Sequence, residues 1–447
     1  MKVMTGSQAR DQQVRDNIVN QEPPTITDSF WLWLKIGLLS FGGPAGQMAL
    51  MHREIVERKG WLSEKQYLNA LGFCMLLPGP EAMQLATYAG WRLHGVIGGL
   101  IAGLLFVIPG AIVILALAAG YVMFGTNSLV AALFLGIKSA VVMIVIQALI
   151  KVGRRALSGW HHWLIALCAF VGIFALNLPF PLIVGIAAII GFMQGQASAK
   201  TISMDYRDIE VPIRPKLSEA ARPAILWLLI WLLPLVLVSL VDDFGILASV
   251  GVFFSKLAVV TFGGAYAGLA YLGQDVVDKF HWLSTTEMLD GLGLAETTPG
   301  PLILVTEFVG FIAGFRNGGD ASFAYGVAGA MIALWATFAP CFLWIFVGAP
   351  YIEWITAQPR LQSALGAITA AVVGVIANLS IWFAAHVFFA DVVTQSFGFV
   401  RVIVPSTPDM IAILMAVISA FMLFRLKWDV WYIVLAAAVM GWGTSVI

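Results

Sequence analysis

The sequence predicts an all-α membrane protein made of two homologous halves, and three observations lead to this prediction. Hydrophobic residues make up 60% of the 447 residues and charged residues 11%, with a mean hydropathy of +0.90. Such a chain has too few charges to cover a soluble globule. Apolar runs of about twenty residues, the length at which a helix crosses a bilayer, follow one another after residue 28. A set of short motifs also occurs twice at constant spacing.

The repeated motifs are a Phe-Gly-Gly, a Trp-Leu-Ser and a Pro-Gly-Pro triplet. They stand at 41–43, 61–63 and 78–80 in the first half and at 262–264, 282–284 and 299–301 in the second half. Every second copy therefore follows its first copy by 221 residues. Charge type is kept at this offset, since Glu54 corresponds to Asp275 and Arg58 to Lys279. An internal duplication of this kind predicts two copies of one structural unit.

The elements of the first half follow from these motifs. An apolar segment at 29–41 stops at the Phe-Gly-Gly, because glycine and proline release the backbone from helical hydrogen bonding. Inside a membrane such a broken helix is tolerated only where protein or water satisfies the freed groups. Ser63 is placed to cap the next helix, which breaks at the Pro-Gly-Pro and resumes at Glu81. Further apolar spans are predicted at 95–123, 127–150, 162–177 and 180–197.

The second half repeats this order after the longest polar link of the chain. Its later spans are predicted near 322–349, 362–389, 409–424 and 429–446. The predicted organisation is a polar N-terminal segment at 1–27, a first transmembrane repeat at 28–197, a linker at 198–222, a connecting helix and loop at 223–253, and a second transmembrane repeat at 254–447.

Charge placement predicts the orientation of the two halves. Lysine and arginine accumulate in the first-half links and in the 198–222 linker, while the equivalent second-half links are poor in them. By the positive-inside rule the N-terminus and the linker face the cytoplasm, and the second half is inverted relative to the first. The alternative is a pair of parallel repeats in which the first broken helix crosses the membrane completely.

Composition and motifs exclude several classes of function. The balance of 25 basic and 25 acidic residues argues against nucleic acid as a partner. The three cysteines are scattered in apolar runs and predict neither a disulfide framework nor a zinc site. No cofactor or metal is predicted, and the chain contains no phosphate-binding loop of the kind that ATP-driven transport needs. A homodimer is compatible with such a bundle, but the sequence does not require one.

Several motifs together resemble the chromate ion transporter family. The resemblance rests on residues 41–44, 52–54, 77–80 and 106–110, and on the three second-half triplets. It implies a protein of the bacterial inner membrane that exports chromate, a dianion similar in shape to sulfate, and thereby gives chromate resistance. It also implies that the protein is not an enzyme. Two alternatives remain, namely transport of sulfate or another oxyanion, and a membrane-embedded enzyme that acts on a lipid-linked substrate.

The helix breaks are the candidate anion site. A helix that restarts after a break exposes free backbone N–H groups and the positive end of its dipole, and glycine lets the backbone approach an oxyanion closely. The candidate residues are Gly42, Gly43, Pro78, Gly79, Pro80, Gly263, Gly264, Pro299, Gly300 and Pro301. The alternative interpretation is that these residues only kink the helices or allow them to pack closely.

Ionisable residues in apolar runs are the remaining candidates, because a charge inside a membrane span is costly. Lys35 and Lys256 occupy equivalent positions and would neutralise a dianion as a pair, unless they extend towards the lipid headgroups. Lys138 corresponds to Ile368 and is a weaker candidate. The carboxyl groups near the second motif of each half are candidates for a proton site in an anion/proton exchange, or are structural: Glu81, Glu296 and Glu307.

Overall fold

The chain folds into a helical bundle in which both predicted repeats are present. The computed structural model describes residues 24–444, except 42, 126, 203–216, 243–244, 353–354, 356–357, 391 and 398–399. Most of the predicted polar N-terminal segment, Gly42 and most of the predicted linker therefore lie outside the described residues.

The first half consists of seven helices within the described ranges. They are α1 Ile26–Leu39, α2 Gly43–His52, α3 Glu64–Cys74, α4 Glu81–Phe124, α5 Ser128–Ala156, α6 Trp160–Phe174 and α7 Phe180–Ile202. Helix α2 ends in a π-helical turn at Arg53–Arg58. Ser63 caps α3 as predicted, because its side chain accepts from the backbone of Gln66 and the Gln66 side chain accepts from the backbone of Ser63.

The second half repeats these elements after a single connecting helix, α8 Leu217–Val241. Its helices are α9 Ile246–Val260, α10 Ala265–Gln274, α11 Thr285–Thr297, α12 Val305–Asn317, α13 Ser322–Gly348, α14 Pro359–Phe388, α15 Met410–Ala420 and α16 Val430–Thr444. Helix α10 also ends in a π-helical turn, at Asp275–Lys279, and Ser284 caps α11 in the same way as Ser63 caps α3. The duplication thus extends to irregular details that the motifs alone do not reveal.

Two features of the second half differ from the sequence prediction. Helix α9 begins at Ile246, before the predicted repeat boundary at 254, because the apolar run continues upstream of the part that matches the first half closely. A two-stranded antiparallel hairpin, β1 Val392–Phe397 and β2 Val400–Pro405, joins α14 to α15 where no strand was predicted. Short runs of valine and isoleucine in this link suit a strand.

Helix α4 reverses direction in its middle, so that it forms two antiparallel arms. His94 and Gly95 have non-helical backbone angles, with φ of +61° at Gly95. The arms pack at glycines, since a Cβ on Gly90 would lie 2.3 Å from the carbonyl oxygen of Gly98. In the second half α12 and α13 make the same contact, at Gly310 and Gly329. We call the two arms α4a, residues 81–93, and α4b, residues 96–124.

The two halves are inverted relative to each other. A Cβ on Gly99 of α4b would lie 2.6 Å from the ring of Phe346 on α13, and a Cβ on Gly103 would lie 2.7 Å from the ring of Phe342. Residue numbers therefore rise along α4b where they fall along α13, so the two helices are antiparallel. Helix α13 is the counterpart of α4b in the repeat. The inverted arrangement predicted from charge placement is correct, and parallel repeats are excluded.

The halves interlock through contacts that are reciprocal. The N–H of Gly79 donates to the carbonyl oxygen of Thr261 at 2.7 Å, and the N–H of Gly300 donates to that of Ser40 at 2.9 Å. Each Pro-Gly-Pro thus closes on the end of the broken helix of the other half. Such exchange of equivalent contacts is the signature of a two-fold relation. It brings all four helix breaks to the interface between the halves.

Several helices have the length and apolar composition of membrane spans. Five qualify among the described residues, namely Glu81–Phe124, Ser128–Ala156, Ala220–Val241, Gly319–Tyr351 and Pro359–Phe388. Five shorter apolar helices of 10–17 residues accompany them. Because many lipid-facing side chains are exposed leucine, isoleucine and valine, the bundle is that of a multi-pass membrane protein.

Candidate functional site

A cavity of about 490 Å³ lies beside the point where the helix breaks meet. Both helix restarts after the Phe-Gly-Gly motifs line it, through Gly43 at the start of α2 and through Gly264 just before α10. Helices α3, α5 and α14 complete its walls. We call it the central cavity. Water occupies about 30 Å³ per molecule in the liquid, so this volume holds an anion together with part of its hydration shell.

Glu81 lies at the inner end of the central cavity, next to a glycine of the other half. A Cβ on Gly264 would lie 3.0 Å from Oε1 of Glu81, and Gly264 has φ of +103°, a conformation that other residues rarely adopt. The Oε2 atom of Glu81 is buried and has no hydrogen-bond partner among the described residues. The carboxyl group therefore has an unused acceptor position beside the cavity.

A second carboxyl group, that of Glu296, lies behind Tyr266. The Tyr266 side chain lines the central cavity. The Tyr266 hydroxyl donates to Oε1 of Glu296 at 3.0 Å, and Glu296 is 4% exposed. Both carboxyl groups break the internal symmetry, because Glu81 corresponds to Leu302 and Glu296 to Met75. Tyr266 corresponds to Ala45. Glu81, Glu296 and Tyr266 therefore have no chemically similar counterparts in the other half, and they lie together at the interface between the halves.

Basic side chains lie at the opening of the central cavity. Lys151, Arg155 and His162 line it, and the charges of Arg155 and Lys151 act on Glu81 and Glu296 respectively. A neighbouring cavity of about 930 Å³ shares Lys151 and is also lined by Arg53 and Lys427. An anion that approaches from this side meets a positive potential before it reaches the helix breaks.

The Pro-Gly-Pro motifs form the rigid frame of the site rather than its open wall. Gly79 and Gly300 have φ of +109° and +91°, and their amides are used in the reciprocal bonds to the other half. Pro80 is the N-cap of α4, and Pro301 precedes a 3₁₀ turn that leads into α12. The carbonyl of Pro78 accepts from Gln84, and a Cβ on Gly110 would meet the carbonyl of Pro299.

The structure does not bring the two predicted lysines into the central cavity. Lys35 forms an ion pair with Glu54 at 3.0 Å, and Arg58 pairs with the same carboxylate at 2.6 Å. Burial raises the pKa of the Glu54 carboxyl, but the hydrogen bond and charge of Lys35 lower it more, so the pKa lies below its ordinary value. Lys256 is exposed, and its charge acts on Asp275, the counterpart of Glu54. Lys35 thus holds the end of a broken helix, and Lys256 lies where its charge acts on the equivalent carboxylate.

The remaining predicted residues lie in different surroundings. Gly263 lines the central cavity beside Gly264. Glu307 is fully buried, and neither of its carboxyl oxygens has a hydrogen-bond partner among the described residues. It does not line the central cavity. Within the described residues no group of three histidine, cysteine, aspartate or glutamate side chains is placed to hold a metal ion.

Sequence reasoning missed three residues of the site. Lys151 and Arg155 belong to the first-half basic residues that predict the orientation of the halves, and nothing in the sequence points to Tyr266. Arg155 and Lys151 lie four residues apart at the end of an apolar helix, which places them on one helix face. That spacing was the available signal for a basic wall. Tyr266 could have been found only from its position two residues after the second Phe-Gly-Gly.

Inverted repeats, broken helices at their interface and a basic cavity beside the breaks define a polytopic membrane transporter for small anions. The comparison with known families agrees. A family model described as chromate transporter matches residues 27–192 and 248–442. The chain belongs to the chromate transporter family, and each half is one copy of its repeated unit.

Three curated relatives match between 77% and 99% of the chain. A chromate transport protein of Pseudomonas aeruginosa is 29% identical over 99% of this chain and 98% of its own length. A probable chromate transport protein of Synechococcus elongatus is 30% identical over 77% of this chain and 81% of its own. A chromate transport protein of Cupriavidus metallidurans is 27% identical over 83% and 86%. No solved structure matches the chain.

Proposed function

We propose that this protein is a secondary transporter that exports chromate, or a closely similar oxyanion, across the bacterial plasma membrane and so gives chromate resistance. The observation that carries the proposal is the central cavity, where Lys151 and Arg155 face two helix restarts of opposite halves. Relatives named as chromate transport proteins support the choice of anion. The same relatives favour a transporter over a membrane-embedded enzyme, because they are named as transport proteins.

The proposed binding mode uses cations at the opening and backbone N–H groups at the inner end. Lys151 and Arg155 offset the two negative charges of the anion. Gly43 and Gly264 allow backbone amides to approach its oxygens, because neither position carries a Cβ. The first-turn N–H groups of α4a have no partners within the helix and point towards the breaks. A tetrahedral anion can accept from several of these donors at once.

The proposed orientation places the central cavity towards the cytoplasm. The basic end of α5, with Lys151, Arg154 and Arg155, is then on the cytoplasmic side, as the positive-inside rule requires. An inside-negative potential favours outward movement of a dianion by about 4.6 kcal/mol per 100 mV, twice the value for a single charge. Export therefore has a driving force without ATP.

Glu81 is the proposed proton site. An ionised carboxylate beside a dianion repels it, whereas a protonated carboxyl group donates a hydrogen bond. Anion binding and protonation of Glu81 are therefore linked, and Glu296, Tyr266, Lys151, Arg155 and His162 are the ionisable groups that face the same region. One proton carried with a dianion leaves one net negative charge, and about 2.3 kcal/mol per 100 mV still favours export. The alternative form of coupling is exchange, in which one proton enters the cell as the dianion leaves.

The test measures chromate uptake by everted membrane vesicles, in which export appears as accumulation. The wild type is compared with a Lys151→Gln/Arg155→Gln double variant and with Glu81→Gln. We expect the double variant to lose at least about tenfold in apparent affinity, since two charge-assisted contacts disappear. We expect Glu81→Gln to remove the dependence of flux on pH.

A matched control is Arg154→Gln, which removes an exposed cation from the same helix end but not from the central cavity. It should keep wild-type affinity. A proton gradient directed into the cell corresponds to an acidic lumen in everted vesicles. Faster chromate uptake with an acidic lumen would indicate exchange of chromate for protons rather than movement of both in the same direction. Equal inhibition by sulfate would widen the substrate class. No chromate flux in the wild type with normal insertion would contradict the proposal.

A further inference from the structure

An ion pair joins the two halves in a region that the anion site does not use. Lys138 of α5 lies 3.3 Å from Oδ1 of Asp290 on α11, and the Tyr121 hydroxyl of α4b donates to Oδ2 of the same carboxylate at 2.8 Å. The side chains of Lys138 and Asp290 are 15% and 5% exposed. Breaking a buried pair of this kind leaves an uncompensated charge, so the contact is costly to separate.

The region around this pair is closely packed. A Cβ on Gly293 of α11 would lie 2.4 Å from a methyl carbon of Ile137 on α5. Tyr121 packs edge-on against Phe134 and Phe308. Helix α11 thus lies directly against α5.

The equivalent region in the other copy is open. Gly72 of α3 corresponds to Gly293, and no atom of the described residues lies within 4 Å of a Cβ placed on it. Gly72 and the facing residues Leu365, Gly366 and Thr369 of α14 line the central cavity. In the repeat, Asn69 corresponds to Asp290 and Ile368 corresponds to Lys138. One interface is therefore closed and bridged by charges, and its symmetry partner is open and has no such pair.

The two interfaces lie on opposite sides of the anion site. The central cavity is lined by α5 from Ile144 to Ala156. Lys138 precedes Lys151 on this helix by thirteen residues, or about 20 Å. Since the halves are inverted, the α3–α14 interface and the α11–α5 interface face opposite sides of the membrane.

We propose that Lys138, Asp290 and Tyr121 form the gate that closes the far side of the transport path. In the opposite-facing state α11 leaves α5, and α3 closes onto α14 in the way that α11 now packs on α5. Of the two interfaces, only the α11–α5 interface has an ion pair among the described residues, and the α3–α14 interface has none. The ion pair therefore favours the state in which the α11–α5 interface is closed. This inference deepens the proposed transport function, but its test needs no substrate.

The experiment uses two symmetry-related cysteine pairs in full-length protein whose native cysteines are replaced. The closed-side pair is Ile137→Cys/Gly293→Cys. Its Cβ atoms would be 3.7 Å apart, within the range of about 3.5–4.5 Å found in disulfides. The open-side pair is Ala367→Cys/Gly72→Cys, which the present state holds apart. Disulfide formation is measured in membranes for each pair, with and without Asp290→Asn.

We expect the closed-side pair to cross-link readily and the open-side pair slowly. Asp290→Asn should shift the ratio of the two rates by about tenfold or more towards the open-side pair, since a tenfold change in population needs only about 1.4 kcal/mol. Tyr121→Phe removes one hydrogen bond and should give a smaller shift in the same direction. The Tyr121→Phe variant therefore still tests the gate if Asp290→Asn does not fold.

The matched control is Lys279→Gln, which breaks the ion pair between Lys279 and Asp275 within the second half. It should leave the ratio of cross-linking rates unchanged. Unchanged ratios in Asp290→Asn and Tyr121→Phe, or rapid cross-linking of both pairs in the parent protein, would overturn the gate. Absence of chromate flux in the parent protein, together with the expected shift in cross-linking, would instead count against the proposed function and leave the gate standing.

Discussion

Helices α5 and α14 are the same element in the two halves, yet the cations that α5 carries in its middle and near its C-terminal end have no counterparts in α14. Lys138, Lys151 and Arg155 of α5 correspond to Ile368, Ile381 and Ala385 of α14. The glycine and proline breaks, by contrast, are present in both halves and make reciprocal hydrogen bonds. Backbone geometry at the interface must suit both copies because each closes on the other. Side-chain charge is free to diverge, and here it gives the first half the basic wall and the cation of the proposed gate.

The comparison extends to packing at equivalent glycines. A Cβ on Gly136 of α5 would lie 1.8 Å from the carbonyl oxygen of Ala437, whereas one on Gly366 of α14 would meet only the end of His162, at 3.8 Å. The first glycine is fixed between helices and the second lines the central cavity. The halves therefore share a fold while one interface is tight and the other loose.

The largest expected effect sharpens this contrast. Gly136→Ala forces a methyl group into backbone and should destabilise the protein by about 3 kcal/mol, the upper end of typical overpacking costs. Gly366→Ala should be nearly neutral in thermal unfolding. The measurement is the midpoint of thermal unfolding in detergent, read by size-exclusion chromatography. Equal losses in both variants would show that the two interfaces are packed alike.

A smaller effect is expected where the halves differ in the site itself. Tyr266→Phe leaves Glu296 without its described donor, which should cost about 1–2 kcal/mol in transport or stability. Glu296→Gln in the same chain should cost less than it does alone, because the two groups act as a pair. Vesicle flux and unfolding of the single and double variants measure this coupling. Strict additivity would remove Tyr266 and Glu296 as a functional pair.

The smallest effect concerns Lys35 and Lys256. Lys35→Met breaks the pair with Glu54, and we expect a loss below about 1 kcal/mol since the Lys35 side chain is 45% exposed and screened by solvent. The lowered pKa of Glu54 makes this contribution present above the ordinary carboxyl pKa and lost as the pH falls through the lowered value. The difference in unfolding midpoint between wild type and Lys35→Met should therefore shrink in acid.

Lys256→Met provides the comparison for that experiment. Burial holds the pKa of Asp275 above its ordinary value, although the charges of Lys279 and Lys256 oppose this. The loss at neutral pH should be smaller than for Lys35→Met. A larger loss of chromate affinity than of stability in both variants would return the lysines to the anion site.

The candidate site could be predicted only in part. Glu81, Gly43, Gly263 and Gly264 were identified because a break in an apolar helix and a buried charge are visible in any membrane sequence. The lysine pair is predicted at the anion site from equivalent positions in apolar runs, but in the structure Lys35 pairs with Glu54 and neither lysine lines the central cavity. Tyr266 was missed because a tyrosine in an apolar run is ordinary.

The sequence alone determined the class of protein, the duplication, the positions of the four breaks and, through the distribution of cations, the inversion of the halves. These depend on local chemistry, since hydropathy, glycine, proline and charge act wherever they occur along the chain. Tertiary structure decided which break faces which, where Glu81 and Glu296 lie relative to the central cavity, and which interface is closed. Those facts depend on contacts between residues more than a hundred positions apart, and a linear pattern contains no record of such distances.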